Sequence, residues 1–501
     1  MRPLRYVAAL SACLAAVALA TSGCGGSSSS SSDLGNVLAY VPADTPFALE
    51  LDTDLGDSQY KALDAILNRF PAADTIKSVI KAQLTSGVKG VNFDNDVKPL
   101  LGNPAVISAT DVGSFLSDSE QAGFVAALQV DDKDALQSLI DKTKAQKRGE
   151  VGGATVYQDG TTFFGVKDDV VVLAGSRALL EAALKRADGG DHLSESDFEA
   201  GLNGLPSDAL ARVYVNVQGL LSQSEGAKAA RRIEWVDALR TLGLTVSAQK
   251  SSIDVEFNAD TKGGNLTDAD LPFASGDEAA KVVKRKGEIG VGLRNPSQLV
   301  AFFESALQAV DPHTFGDYEQ GKRVIASKLN LDIDKDLIAQ LTGNLSVSAT
   351  IAGDFAARAD VKDPAAFTKT VDKVAKALPE LGSTLGVESV RRSGDLYEVR
   401  LSGGSSFFFG MAQDSLVVGS DAARAHAIAA TQPEAVPGAS GSLVVSADAE
   451  GIARQILAKI APQFGIPDPI VPVFARPFNE LHGWVTTSTD GLKGKLSLTL
   501  D

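Results

Sequence analysis

The chain contains almost no cysteine. Of its 501 residues only Cys13 and Cys24 are cysteines, and both stand near the N-terminus. A disulfide framework, a thiol nucleophile and cysteine-based zinc or iron–sulfur sites are therefore excluded from the rest of the sequence. The body of the chain must be stabilised by apolar burial, for which a hydrophobic content of 44% provides the material.

Long apolar runs and catalytic motifs are also missing. After residue 23 no stretch approaches the roughly 20 consecutive apolar residues of a membrane-spanning helix. There is no Gly-x-Ser-x-Gly elbow, no His-Glu-x-x-His, no phosphate-binding loop and no dinucleotide fingerprint. The sequence therefore predicts no cofactor and no catalytic residue. The few histidines are far apart and are predicted to be solvated surface residues; they are His192, His313, His426 and His482.

The net charge is strongly negative, at −16, with 63 acidic residues against 47 basic ones. Nucleic-acid binding depends on Lys and Arg neutralising phosphates, so this balance predicts no nucleic-acid partner. One basic run, Lys281 with Lys284–Lys286, stands out. It is interpreted as a solvated linker or as a contact for anionic lipid.

The first 23 residues have the pattern of a signal peptide. Two arginines precede an apolar run over residues 7–20 that is too short to cross a bilayer. Two small residues then precede Cys24, and a Gly/Ser tether over residues 24–33 follows it. The arrangement resembles the lipobox of bacterial lipoproteins, with Thr21 where Leu is usual. It implies lipid attachment at Cys24, palmitate among the acyl chains, and a location on the extracytoplasmic face of the cell membrane.

The two halves of the chain resemble each other at an offset of roughly 230 to 245 residues, which indicates duplicated domains and not a solenoid of short repeats. Phe-Phe-Gly-Val at 163–166 matches Phe-Phe-Gly-Met at 408–411, and each is followed by a Val-rich strand ending in Gly-Ser. The predicted organisation is a signal peptide at 1–23, a tether at 24–33, a first domain at 34–262, a linker at 263–287 and a second domain at 288–501.

Each half is predicted to be an α+β domain with a mainly antiparallel sheet and helices packed on one face. Asp159-Gly160 between β-forming residues indicates a tight hairpin. Helices are expected where Asp134 precedes an amphipathic segment and where Asp363 caps a helix that begins with Pro364.

The opening at residues 38–51, the Phe-Phe-Gly-Val station and the duplicated length together resemble a family of uncharacterised bacterial secreted proteins, domain of unknown function 3352. The resemblance covers most of the chain after the signal peptide. It implies an envelope location and assigns neither an activity nor a catalytic residue.

One constellation has the spacing of a metal site. Asp332, Asp334 and Asp336 alternate as the first ligands of a calcium loop do, and Asn92, Asp94 and Asp96 match them in the first half. The later loop positions lack the Gly and Glu that a calcium loop needs. These residues are therefore weak metal candidates, and the alternative is that Asp336 and Asp96 cap short helices.

Three classes of function remain. The leading hypothesis is a non-enzymatic binding or scaffolding module of the cell envelope, anchored in the membrane by lipid, with an unknown envelope protein, peptide or cell-wall partner. The alternatives are a carrier of lipid or another apolar ligand, and an enzyme without a recognisable motif. Such an enzyme would use dispersed acids such as Asp168, Asp169 or Asp414.

Overall fold

The computed structural model describes residues 31–71, 73–85, 90–113, 123–160, 162–261, 265–382, 386–460 and 470–501. Cys24, the predicted lipid attachment site, lies outside these ranges. Two compact units make up the chain. The first ends at Lys228 and is completed by Leu239–Asp260, and the second comprises Ala229–Ala238 and Thr261–Asp501. In the described ranges, no helix combines the length and apolar character needed to cross a membrane.

The described residues of the first unit form an antiparallel sheet with the strand order β4-β5-β6-β7-β3-β2-β1-β8-β9-β10. The strands are β1 (Phe47–Leu51), β2 (Ala105–Ala109), β3 (Phe124–Gln129), β4 (Gln146–Val151), β5 (Ala154–Asp159), β6 (Thr162–Lys167), β7 (Val170–Ala174), β8 (Ala211–Asn216), β9 (Leu239–Gln249) and β10 (Ser252–Thr261).

The helices that accompany this sheet are α1 (Ser31–Leu38), α2 (Ser58–Leu67), α3 (Ala73–Thr85), α4 (Lys133–Thr143), α5 (Arg177–Arg186), α6 (Glu195–Gly201), α7 (Val217–Leu221) and α8 (Glu225–Ala230). Short π- and 3-10-helical turns at Phe93–Val97 and Lys98–Leu100 precede β2. The helix α9 (Glu234–Ala238) falls within the second unit.

In the second unit the antiparallel order is β14-β15-β16-β17-β13-β12-β11-β18-β19-β20. The strands are β11 (Ile289–Arg294), β12 (Asn344–Ala349), β13 (Phe355–Asp360), β14 (Val387–Ser393), β15 (Leu396–Leu401), β16 (Ser406–Ala412), β17 (Ser415–Gly419), β18 (Leu443–Asp448), β19 (Phe478–Ser488) and β20 (Gly491–Leu500).

Its helices are α10 (Pro296–Val310), α11 (Pro312–Leu329), α12 (Ile333–Asp336), α13 (Pro364–Ala377), α14 (Ala422–Ala430), α15 (Ala449–Ile460) and α16 (Val471–Ala475). Each strand of the first unit thus has a counterpart ten strands later, in the same place in the pairing order. An origin by duplication stays a prediction, but the two sheets share one topology.

The predicted α+β class with antiparallel sheets is confirmed. The helices, predicted on one face, pack on both faces, because strand residues alternate between two apolar surfaces. Val172 of β7 packs with Leu180 of α5 on one side. Val171, one residue earlier, faces the other side and packs with Leu136 and Ile140 of α4. In the second unit α14 and α13 divide between the faces in the same way.

Helix starts follow local sequence. Asp363 accepts a hydrogen bond from the backbone N–H of Ala366, and Pro364 is the first helical residue, as predicted. At α4 the cap is Asp132, which accepts from the N–H of Ala135, and Asp134 lies inside the first turn. The prediction of Asp134 as the cap was therefore displaced by two residues.

The region predicted as a linker packs into the second unit where it is described. Val282 and Val283 are fully buried. The backbone N–H of Val282 donates to the carbonyl of Glu434 at 2.8 Å, and that of Ala280 donates to Gly441 at 2.9 Å. Polar residues before this segment suggested a solvated connection, but the apolar pair at its centre supplies core contacts.

Candidate functional site

A groove in the first unit lies where β1 ends and the chain turns towards α2. Its volume is about 360 Å³, and it is partly open to solvent. Six carboxylates and one guanidinium dominate its lining. We call it the acidic groove, and its residues are Leu34, Glu50, Asp52, Asp57, Pro104, Glu195, Glu199, Ser207, Asp208, Ala209 and Arg212.

Glu50 and Arg212 form a buried ion pair in this groove. The register of β1 with β8 sets the two residues directly opposite each other. Arg212 donates from Nε to Glu50 Oε2 at 2.5 Å and from Nη1 to Glu199 Oε1 at 2.7 Å. Its guanidinium carbon also lies 5.5 Å from the ring centroid of Phe198, which is a cation–π geometry. Two carboxylates and one aromatic ring thus contact the guanidinium.

Burial dominates the electrostatics of this pair, since Glu50 is only 8% exposed. Burial raises the pKa of Glu50, and the hydrogen bond and charge of Arg212 oppose that rise. Burial acts to lower the pKa of Arg212, but the hydrogen bonds and charges of Glu50 and Glu199 outweigh it and raise that pKa. The ionised form of Glu50 therefore depends on Arg212.

A second pair of acids, Asp52 and Asp57, stands beside the first. Asp57 caps α2, and its Oδ1 accepts from the N–H groups of Gln59 at 2.7 Å and Tyr60 at 3.0 Å. Asp52 Oδ1 accepts from the N–H of Asp54 at 2.8 Å. The buried Tyr60 hydroxyl donates to the carbonyl of Asp52 at 2.7 Å. These bonds fix both acids on the short segment between β1 and α2.

The surroundings of Asp52 favour its protonated form. Burial raises the pKa of Asp52 to about 8, and the nearby carboxylates of Asp57 and Asp54 add to the rise. Burial also raises the pKa of Asp57, against hydrogen bonds from Tyr60, Asp52 and Gln59 that favour its ionised form. The pair is thus a carboxylic acid hydrogen-bonded to a carboxylate, the arrangement in which two acids share one proton.

The groove has more negative than positive charge. Glu199 shares Arg212 with Glu50, while Asp208 Oδ2 accepts only a neutral hydrogen bond from Ser58, at 2.9 Å. Arg212 is the one cation among the lining residues, all of which are described. Convergent carboxylates in a recess of low dielectric attract a cation more strongly than they do on an open surface.

The second unit does not repeat this chemistry. By strand register, the counterparts of Glu50 and Arg212 are Gly292 on β11 and Val444 on β18. A side chain at Gly292 would meet the carbonyl oxygen of Lys281 at 2.4 Å, since residues 280–283 cover this part of β11. The two sheets share a topology, but the Glu50–Arg212 pair has no charged counterpart at the equivalent strand positions of the second unit.

The predicted metal candidates lie on a short helix of the second unit. Asp332 caps α12 and accepts from the N–H groups of Asp334 and Lys335. Asp336 accepts from the N–H of Asp332, and Asp334 pairs with Lys322 at 3.0 Å. Across the described ranges there is no group of three His, Cys, Asp or Glu side chains able to hold a metal.

The alternative role of Asp336 and Asp96 as caps needs correction. The caps are Asp332 and Asn92. The carboxylate of Asp336 accepts a hydrogen bond from the backbone N–H of Asp332, and that of Asp96 accepts one from the backbone N–H of Asn92. Asp96 is also bonded to Lys142, which lowers the pKa of Asp96. These acids stabilise short turns by hydrogen bonds within each turn, and their carboxylates do not converge on a common point.

Other residues singled out from sequence lie apart from the groove. Asp168 and Asp414 occupy turns with positive φ, at 53° and 59°, between β6 and β7 and between β16 and β17. His482 lies within β19, partly buried, and its Nδ1 has no hydrogen-bond partner among the described residues. His482 was predicted to be a solvated surface residue, but in the strand it is partly buried.

Sequence reasoning missed every acid of the groove. One signal was present, because Glu50 interrupts the apolar strand Phe47–Leu51. Its partner stands 162 residues away, and no local pattern relates the two. Asp52, Asp54 and Asp57 form an acidic run after the strand, which on sequence alone looks like an ordinary solvated turn.

Comparisons with known proteins give a family and little else. No curated protein matches the sequence. Three crystal forms of TP0453 are similar in structure over 45–46% of this chain and 80–81% of theirs, with 10–13% sequence identity and TM-scores of 0.26 to 0.27. At such TM-scores the similarity carries no argument. The family described as Protein of unknown function (DUF3352) matches residues 6–382, three quarters of the chain, and the protein belongs to that family.

Proposed function

We propose that this protein is a non-enzymatic binding module of the cell envelope, held on the outer face of the membrane by lipid at Cys24, and that its acidic groove binds a cationic group. The ligand class is a primary amine or guanidinium, carried by a partner protein, a peptide or an amine-bearing cell-wall fragment. The surplus of carboxylates over Arg212 in the groove carries the proposal.

The groove suits such a ligand in size and polarity. A volume of about 360 Å³ is at the small end for ligand sites, and it accommodates a side chain or a small amine. Asp208 and Glu195 have no cationic partner among the described residues, and Glu199 shares its only one. An ammonium group would make charge-assisted hydrogen bonds with these oxygens. A carrier of apolar ligands needs an apolar lining, which this groove does not offer.

The test uses spermidine as a probe and isothermal titration calorimetry with the mature protein. We expect saturable binding by the wild type. The double substitution Glu199→Gln with Asp208→Asn should weaken it roughly tenfold, because two charge-assisted hydrogen bonds are lost. The matched control is Asp134→Asn with Glu225→Gln, which removes the same charge from exposed positions of the same unit. Equal weakening in both doubles, or no binding by the wild type, would contradict the proposal.

Binding should also depend on pH through Asp52. A bound cation favours the ionised form of this acid, whose pKa is raised to about 8. Affinity for spermidine is therefore expected to increase from pH 6 to pH 8, with release of a proton on binding. Asp52→Asn should remove this increase. A wild-type affinity that is constant over this range would argue against a ligand beside Asp52.

An enzyme is the second candidate, favoured by the position of Asp52 and Asp57 together in the groove, where burial raises the pKa of both acids. A carboxylic acid beside a carboxylate provides a general acid and a general base in one place. The discriminating measurement is mass analysis of ligand captured from envelopes, before and after incubation with the protein. Conversion that disappears in Asp57→Asn would favour the enzyme, and recovery of unchanged ligand would favour the binding module.

Lipid attachment is tested separately by palmitate labelling of growing cells. The wild type should incorporate label and partition with membranes, because acyl chains hold a protein stably at a bilayer. Cys24→Ser should lose both the label and the partitioning. Equal labelling of the two proteins would exclude Cys24 as the acylated residue.

A further inference from the structure

A second groove, in the second unit, is lined by as many cations as carboxylates. It has a volume of about 440 Å³, and the consecutive cations Lys284, Arg285 and Lys286 line it. Three carboxylates also line it, those of Glu288, Asp448 and Glu480. We call it the basic groove, because its carboxylates are already satisfied while two of its cations are not.

Each carboxylate of the basic groove has protein donors. Glu288 accepts from Arg424 at 2.8 Å and from Ser348. Asp448 accepts from the backbone N–H groups of Gly287 at 2.8 Å and Gly451 at 3.0 Å.

Glu480 is satisfied in the same way. It accepts from Lys284 at 2.6 Å and Ser446 at 2.9 Å. Partial burial opposes its ionisation, but these hydrogen bonds lower the pKa of Glu480, so it remains charged. The three carboxylates that line the groove can therefore accept few further hydrogen bonds from a cation.

Arg285 and Lys286 have unused donors. Arg285 Nε lies 3.7 Å from Glu288, beyond hydrogen-bond distance, and its Nη1 is buried with no acceptor among the described residues. Lys286 is exposed and has no ion-pair partner within the described ranges. The Arg285 side chain is 29% exposed, and an oxyanion is the partner that a planar guanidinium binds best.

We propose that the basic groove binds a phosphate group, with Arg285 and Lys286 as its ligands. The lining is balanced, with three cations against three carboxylates, and Arg424, which also contacts Glu288, is shared with Asp354 and Asp421, in a chain whose net charge is −16. Because all three carboxylates already accept hydrogen bonds from the protein, the groove offers the unused donors of Arg285 and Lys286 where the protein as a whole repels anions. A soluble phosphate compound and a lipid headgroup present the same oxyanion, so the experiment separates these two sources. The proposal stands apart from the acidic groove and uses none of its residues.

The test uses the full mature chain with Cys24→Ser, so that acyl chains do not hold it on membranes. Binding of inorganic phosphate is measured by equilibrium dialysis, and binding to phosphatidylglycerol and phosphatidylcholine vesicles by sedimentation. We expect saturable phosphate binding that Arg285→Gln weakens about tenfold or more, as for loss of hydrogen bonds to a charged group. Lys286→Gln should weaken it severalfold.

Lys281→Gln is the matched control, because Lys281 is an exposed lysine of the same basic run that does not line the groove. It should bind phosphate as the wild type does. Loss of affinity equal to that of Lys286→Gln would mean diffuse attraction and would overturn the proposal. A wild type that binds neither phosphate nor phosphatidylglycerol vesicles would overturn it too. Thermal melts of each variant verify that the fold is retained.

The two arms assign the source of the phosphate. Binding of phosphate without binding to phosphatidylglycerol vesicles supports the groove with a soluble ligand. Vesicle binding that free phosphate competes away, and that Arg285→Gln reduces, supports it with a lipid headgroup. Vesicle binding that is insensitive to Arg285→Gln, in the absence of phosphate binding, would reject the groove as the site.

Discussion

Replacing Arg212 with Ala is expected to destabilise the first unit by about 3–5 kcal/mol, the cost of leaving a buried charge without its partner. Glu50, which is 8% exposed in the wild type, would lose its cationic partner, and Glu199 would lose its hydrogen bond. Against a typical domain stability of about 5–15 kcal/mol, the first unit would approach unfolding. The loss should be smaller at pH 4 than at pH 7, because protonation of Glu50 removes the stranded charge.

Both tryptophans, Trp235 and Trp484, belong to the second unit, so their fluorescence does not report on this change. Unfolding of the first unit is better followed by hydrogen exchange of peptides that span β1 and β8. Arg177→Ala, which removes an exposed pair with Glu181, is the control and should cost less than about 1 kcal/mol. Similar losses in the two variants would mean that the buried pair contributes no more than a surface pair.

A double substitution completes this test. Glu50→Gln with Arg212→Met removes both charges, and it should cost less than Arg212→Ala alone because no unpaired charge remains. The second unit already has an uncharged pair, Gly292 and Val444, at the equivalent strand positions. If the double variant were less stable than the single one, the desolvation argument would be wrong.

The second large effect is a pH dependence of stability set by Asp52. Its pKa is raised to about 8 in the folded state, against an ordinary value of 3.8. Between these values the folded protein holds a proton that the unfolded chain releases. The stabilisation that comes from protonated Asp52 is therefore fully present below pH 4. The free energy of unfolding then decreases as the pH rises towards 8.

Asn at position 52 has the shape and donor of the protonated acid and cannot ionise. We expect Asp52→Asn to match the wild type below pH 4 and to be more stable by about 3–5 kcal/mol at pH 8. Denaturant midpoints at pH 3.5, 6 and 8, followed by hydrogen exchange in the first unit, provide the measurement. Asp134→Asn, an exposed acid on α4, should leave the slope unchanged. Parallel pH profiles for wild type and Asp52→Asn would rule out a raised pKa.

Predictions from sequence succeeded where the determinants are local. The Val-rich strands predicted after the two Phe-Phe-Gly stations form as β7 (Val170–Ala174) and β17 (Ser415–Gly419). The hairpin near Gly160 forms with a positive φ of 59° at that glycine. Asp363 caps its helix because the capping oxygen and the N–H that it accepts are three residues apart.

Predictions failed where acids compete for the same role. Asp132 and Asp134 stand in one turn, and so do Asp332 and Asp336, and sequence does not say which of them adopts the extended backbone of a cap. In both turns the first acid does, since its carboxylate then reaches the N–H groups two or three residues ahead. The later acid is left inside the helix.

The sequence by itself determined the α+β class, most local elements, and the family to which the chain belongs. Tertiary structure alone decided the chemistry of the two grooves. Pairing of β1 with β8 brings Glu50 against Arg212 across 162 residues, and burial there changes which acids hold protons. The physical reason is that charge in a protein acts through distance and desolvation, and both are properties of the folded chain.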